Sequence, residues 1–171
     1  LTTASKRGSI VSGKMGAATV IGILSIVLTL LGFKLGALIG GESAKMMDVP
    51  FVTIISLVFI LLPLVVLGAA LLTWLAARAK TMKEAQSLIV ILMLMPMIPG
   101  VLLMINPIKE KLWHFAVPFL SQNQLIQKLL REEWISPQVW ATYFAGAFGV
   151  AAVFWVLAVL RYNDERLAIS G

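Results

Sequence analysis

The sequence predicts an all-α integral membrane protein: four transmembrane helices plus an outer amphipathic helix that is either interfacial or re-entrant. Composition is the first observation behind this, since 60% of residues are hydrophobic and only 13% are charged, well away from the mix usual in soluble domains. The second is length, because four apolar runs each approach the ~20 residues that a helix needs to cross a bilayer core. The third is a short polar island, Arg78 to Gln86, lying between the apolar runs 51–77 and 87–105. Two spans joined by so short a stretch require it to be a loop at the membrane surface.

In chain order, segment 1–14 carries Lys6, Arg7 and Lys14 among small residues and reads as a basic, surface-lying elbow, with a disordered terminus as the competing reading. Gly8 to Met15 approaches a phosphate-binding loop, but Met15 stands where Ser or Thr would hold magnesium, and no strand precedes the glycines. Nucleotide binding is therefore not expected there. The first span covers 15–33, with Gly16, Ala17, Ala18 and Gly22 allowing close helix approach. Lys34 follows and either snorkels to the headgroups or lines a transport path. A polar loop leads to Pro50, with Asp48 placed to cap the next helix. The second span, 51–77, contains Pro63, which removes one backbone hydrogen bond and kinks the helix. Trp74 near its end fits the interfacial aromatic belt.

The island holds Arg78, Lys80 and Lys83 against the single acid Glu84, which places it in the cytoplasm under the positive-inside tendency. Thr81 and Glu84 have capping-box spacing, so the next helix starts from a tight turn. The third span, 87–105, contains Pro96, Pro99 and Gly100 within five residues, a density that breaks the helix. Broken helices survive in lipid only where protein or water satisfies the freed backbone groups, so this break marks either a pathway or a packing kink. Segment 107–135 is too polar to span. Leu125, Ile126, Leu129, Leu130 and Trp134 form one helical face, opposite Gln124, Gln127, Lys128, Arg131 and Glu132. Pro118 separates that helix from the preceding piece. Ser136 and Pro137 then open the fourth span, 139–160, with Ala145, Gly146, Ala147 and Gly149 as a small packing face.

Four spans put both termini on one side. The termini and island hold eight Lys and Arg (Lys6, Arg7, Lys14, Arg78, Lys80, Lys83, Arg161, Arg166), against five on the other side (Lys45, Lys109, Lys111, Lys128, Arg131). That count favours cytoplasmic termini. The cations flank spans instead of forming a stripe with interleaved aromatics, so no nucleic-acid partner is implied. With no cysteine and one histidine, His114, neither a thiolate nor a multi-histidine metal site is available. Glu132 and Glu133 lack the histidines within spans that a glutamate intramembrane protease needs, so no enzymatic activity and no cofactor are expected. The chain begins at Leu1 without methionine and without a signal-peptide pattern, and is expected to be part of a longer protein.

Arg78 to Gln86, containing Lys80-Thr81-Met82-Lys83-Glu84-Ala85-Gln86, resembles the Lys-Thr-x-Lys-Glu-Ala-Gln segment of ABC-2 type permeases of the NatB-like, sodium-exporter group. Ser5-Lys6-Arg7 with Gly13-Lys14 is similar to that family's amphipathic elbow, without its proline. Val117-Pro118-Phe119-Leu120-Ser121-Gln122, followed by Leu129 to Glu133, resembles its outer segment, without the glycine that usually precedes the glutamate. The resemblance covers essentially the whole chain and implies the C-terminal membrane half of a permease subunit. It implies a second permease subunit, homo- or heterodimeric, and a separate ABC ATPase, all in the cytoplasmic (inner) membrane. The implied ATPase-coupling residues are Lys6, Arg7, Arg78, Lys80, Thr81, Lys83, Glu84 and Gln86; Pro96, Pro99, Pro118 and Gln122 would form a pathway or outer gate. Transport of Na+ or another small solute follows from the resemblance alone. A non-transporting membrane scaffold or assembly subunit is the alternative.

Overall fold

Long apolar stretches without interior proline have no local reason to stop being helical, and the chain follows that rule. The computed structural model describes residues 7–40, 49–79, 81–105 and 110–169, and every regular element among them is a helix. Helix α1 covers Arg7–Ile39, α2 Phe51–Ala76, α3 Met82–Leu94, α4 Met97–Ile105, α5 Leu120–Leu130 and α6 Pro137–Ile169, with a short 3₁₀ helix at Leu112–Ala116. Four helical stretches are long and apolar enough to cross a membrane: Gly8–Ile39, Phe51–Ala76, Met82–Leu103 and Pro137–Tyr162.

The first of these corrects an expectation. Residues 7–14 do not form a separate elbow but begin α1, which runs unbroken for 33 residues. Gly8 and Gly13 weaken a helix by only ~1 kcal/mol each relative to Ala, too little to interrupt one that is held laterally. Val11 is fully buried, and Trp155 Nε1 donates to Ser12 Oγ at 3.2 Å, so α6 supplies that support. At ~1.5 Å per residue α1 is about 50 Å long, more than a bilayer core of ~30 Å requires.

The other boundaries follow local chemistry. Thr81 caps α3, its Oγ1 accepting from Glu84 N–H at 3.2 Å. Ser136 caps α6, its Oγ accepting from Val139 N–H at 3.4 Å, and Pro137 takes the first helical position. Pro96 falls in the turn between α3 and α4. Pro99, third in α4, costs nothing there because the first four N–H groups of a helix have no intrahelical acceptor. Pro63 sits inside a continuous α2, fully buried. Phe51 starts α2 with Pro50 in the cap position and no side-chain cap bond, while Asp48 lies outside the described residues.

Helices α2 and α6 run parallel and share the core. Toward their starts, Ile60 packs with Tyr143 and Ala147 from α6, Leu125 from α5 and Phe115 from the 3₁₀ helix. Toward their ends, Leu67, Ala70 and Leu71 pack with Ala151, and Met15 of α1 rests on the same cluster. Helix α1 is antiparallel to both, with Gly22 against Val65 and Lys34 Nζ donating to the Val49 carbonyl at 3.1 Å. Lys34 thus ties the end of α1 to the residues entering α2. Helix α3 buries none of its residues within the chain.

The small face expected on α6 is used unequally. A Cβ on Gly146 would sit 2.7 Å from the Ala116 Cα and carbonyl carbon, whereas one on Gly149 meets nothing within 4 Å. Ala147 is buried and Ala145 exposed. Gly146 is therefore where α6 and the 3₁₀ helix touch backbone to backbone.

Candidate functional site

The described structure draws the sequence-predicted residues into two groups at opposite ends of the bundle. At one end α2 finishes, α1 starts and the last turns of α6 lie alongside. Trp74 near the end of α2 packs its ring on Phe154, with centroids 5.2 Å apart, and the Arg78 guanidinium lies 4.9 Å from the Trp74 ring. This cation–π contact fixes Arg78 at the head of the island. Next to it on α6, Trp155 holds Ser12, and Lys14 of α1 stands 5.7 Å from the Tyr162 ring. Arg78, Thr81, Lys83, Glu84 and Gln86 are all exposed there. Lys6, Lys80 and the side chain of Arg7 lie outside the described residues, although the Arg7 backbone opens α1.

At the opposite end, the turn at Pro96 and the turn after Pro118 are joined by a residue the sequence reading did not single out, while Pro99 lies in α4 and Gln122 in α5. Asn123 Nδ2 donates to the Phe119 carbonyl at 2.8 Å and to the Pro96 carbonyl at 3.4 Å. Its Oδ1 lies 3.2 Å from where a Cβ on Gly100 would be. The α3–α4 break is thus bridged by protein, which is what a freed carbonyl in an apolar setting requires. Phe119, just after Pro118, has φ 67, a backbone conformation that costs a non-glycine residue about 1–3 kcal/mol. Together Pro118 and Phe119 end the preceding piece and re-aim the chain into α5.

Helix α5 departs from the amphipathic face read in its sequence. Gln124, assigned to the polar face, is buried along with Ser121 and Gln122, while Leu130 and Trp134, assigned to the apolar face, are 71% and 86% exposed. The reason is tertiary: α5 is wedged against α2, α6 and the 3₁₀ helix, so its first two turns are enclosed whatever their polarity. Gln122 Nε2 donates to Tyr143 Oη at 3.3 Å, and Tyr143 in turn donates to the Ile60 carbonyl. Pro63 leaves the neighbouring Phe59 carbonyl without its usual helical donor. Ser121 Oγ, Gln122 Oε1 and Gln124 Oε1 make no hydrogen bond among the described residues. Each such orphaned acceptor costs about 1–3 kcal/mol. These buried polar side chains of α5, with the Tyr143 hydroxyl bonded to Gln122, form a polar patch inside an otherwise apolar bundle. Among the described residues no group of three or more His, Asp or Glu could hold a metal ion. His114 is buried, with Nδ1 accepting from Lys111 N–H at 3.3 Å, and serves as a local cap.

Beyond α5 the chain turns through a Schellman closure, with Glu133 N–H donating to the Lys128 carbonyl at 2.9 Å and Glu132 N–H to the Leu129 carbonyl at 3.2 Å. The left-handed position of this closure, normally glycine, is Glu132 at φ 55, and a side chain there costs about 1–2 kcal/mol. Lys128 Nζ pairs with Glu110 at 2.6 Å and Glu133 at 3.0 Å, and Arg131 lies 3.8 Å from Glu133. The Glu110 hydrogen bond raises the Lys128 pKa, and the Lys128 hydrogen bond lowers that of Glu133.

No protein-family model, no curated protein and no solved structure matches the chain.

Proposed function

We propose that the chain is a membrane-spanning permease subunit of an ABC-2 type, ATP-driven exporter, carrying Na+ or another small solute. ATP is hydrolysed by a separate subunit, and the chain itself has no catalytic site. The observation supporting this reading is that the start of α1 and the Arg78 to Gln86 turn share one end of the bundle, braced by Trp74, Phe154 and Trp155. A soluble ATPase can engage both at once, and its movement would pass along α2 and α6 to the polar patch at the other end. That patch, with Pro96, Pro99, Pro118 and Gln122, is proposed as the outer gate. Both ends of this segment then face the cytoplasm, and a second permease subunit completes the pathway. The exposed faces of α1 and α3 are available to that subunit and to membrane lipid.

The test is co-purification of the full-length protein with the ATPase encoded beside it, together with a charge reversal. Lys80→Glu with Lys83→Glu leaves Arg78 anchored on Trp74, so insertion is preserved. Charge complementarity sets the rate and register of docking, so the double reversal is expected to reduce ATPase association at least tenfold. Glu84→Ala leaves the cationic face largely unchanged and stays near wild type. Equal association of all three proteins would make the turn a topological anchor only, and absence of any associated ATPase would favour the scaffold alternative.

A further inference from the structure

A groove of about 640 Å³ opens where the start of α2, the end of α5 and the start of α6 meet. Its walls include Thr53, Ser56, Glu132, Glu133, Trp134 and Trp140. Two indoles, two hydroxyl-bearing residues and carboxylates around one concavity are the chemistry that receives a positively charged group with an apolar body. The indole faces attract a cation through their quadrupoles, and a carboxylate supplies the counter-charge. Interfacial tryptophans anchor helices in any membrane protein, but anchoring does not account for acids lining the same groove.

The charges around the groove do not cancel. Glu110 and Glu133 are matched by Lys128 and Arg131, whereas Glu132 has no ion-pair partner among the described residues. This one uncompensated carboxylate occupies the left-handed position of the α5 closure, with φ 55, where glycine is the favoured residue. Backbone chemistry thus argues against a side chain at 132, while groove chemistry gives that side chain a use. On the other wall Trp140 stacks on Phe144, with centroids 5.7 Å apart. Trp134 lines the same groove and is 86% exposed.

We infer that this groove is a binding site for a soluble organic ammonium ion, seated against Trp134 and Trp140 with Glu132 as its counter-charge. The inference does not depend on the transporter reading, because it concerns recognition at the end of the bundle opposite the Arg78 to Gln86 turn. The probe is benzyltrimethylammonium chloride, titrated calorimetrically into the full-length protein in phosphatidylglycerol nanodiscs at fixed ionic strength. Saturable binding is expected, with Na+ failing to compete at equal concentration. Glu132→Gly separates binding from folding. It should weaken binding at least tenfold while the unfolding midpoint stays at or above wild type, because glycine suits that backbone. Trp134→Ala, a change at an exposed side chain, should weaken binding at least threefold. Absence of saturable binding, or wild-type affinity in Glu132→Gly, would overturn the assignment. Equal competition by Na+ would also overturn it, as would loss of binding when phosphatidylcholine replaces phosphatidylglycerol, which would mean that a lipid headgroup is the occupant.

Discussion

Gly146→Ala isolates the tightest contact in the bundle. The added methyl would stand 2.7 Å from the Ala116 Cα and carbonyl carbon, where carbon atoms ordinarily rest at about 3.5–4.0 Å. Both neighbours are backbone, so relief requires α6 and the 3₁₀ helix to separate by about 1 Å. Overpacking of this kind costs about 1–3 kcal/mol, at its upper end when no side chain can rotate away. Ala gains about 1 kcal/mol over Gly in helix propensity, so the net loss is ~2 kcal/mol. Gly149→Ala, three residues on, receives the propensity gain with nothing within 4 Å. The two variants should therefore differ by about 3 kcal/mol, more than a hundredfold in the folding equilibrium. Denaturation of the detergent-solubilised protein in increasing dodecyl sulfate, followed by circular dichroism, measures this directly. Coincident curves for the two variants would refute the backbone contact and with it the docking of the 3₁₀ helix on α6.

Two further outcomes follow from the polar groups. Tyr143→Phe removes the hydroxyl that joins Gln122 to the Ile60 carbonyl and should destabilise by about 1–3 kcal/mol; adding Gln122→Leu should recover part of that loss, because removing both partners is milder than orphaning one. The same denaturation assay checks this, and a double variant weaker than the single would contradict it. The Lys128 cluster predicts a pH dependence. Glu133, lowered from 4.5 by Lys128, contributes stability above that value that is lost as pH falls through its folded pKa. Lys128, raised from 10.5 chiefly by Glu110, contributes below that value and loses its share as pH rises through its folded pKa. As pH falls from about 6 through 4.5 and on to about 3, the thermal midpoint of wild type should therefore fall further than that of Lys128→Gln; parallel falls would show that the pairing carries no linkage.

What the sequence by itself determined is whatever depends on a few consecutive residues. Four apolar stretches long enough to span are a matter of composition over a window. The cap at Thr81 and the start at Pro137 are set by side chains within three residues of the backbone groups they serve. The break near Pro96 follows from a ring that lacks an N–H. Tertiary structure decided everything that required knowing which surface faces what. Gln124 and Ser121 look like solvated residues until α5 is wedged between α2 and α6, and Leu130 looks like core until the same wedging turns it outward. Gly146 and Gly149 are indistinguishable in a small-residue stripe, and only the approach of Ala116 separates them. Asn123 had no signal of its own, because its partner carbonyl belongs to Pro96, 27 residues away. Glu132 had none either, because only its positive φ shows that a position favouring glycine falls there. Residues 7–14 read as an elbow because their glycines and charges weaken a helix locally, whereas contacts from α6, more than 140 residues later, hold them in α1. Burial and long-range pairing are properties of the assembled bundle, and no local window of the chain contains them.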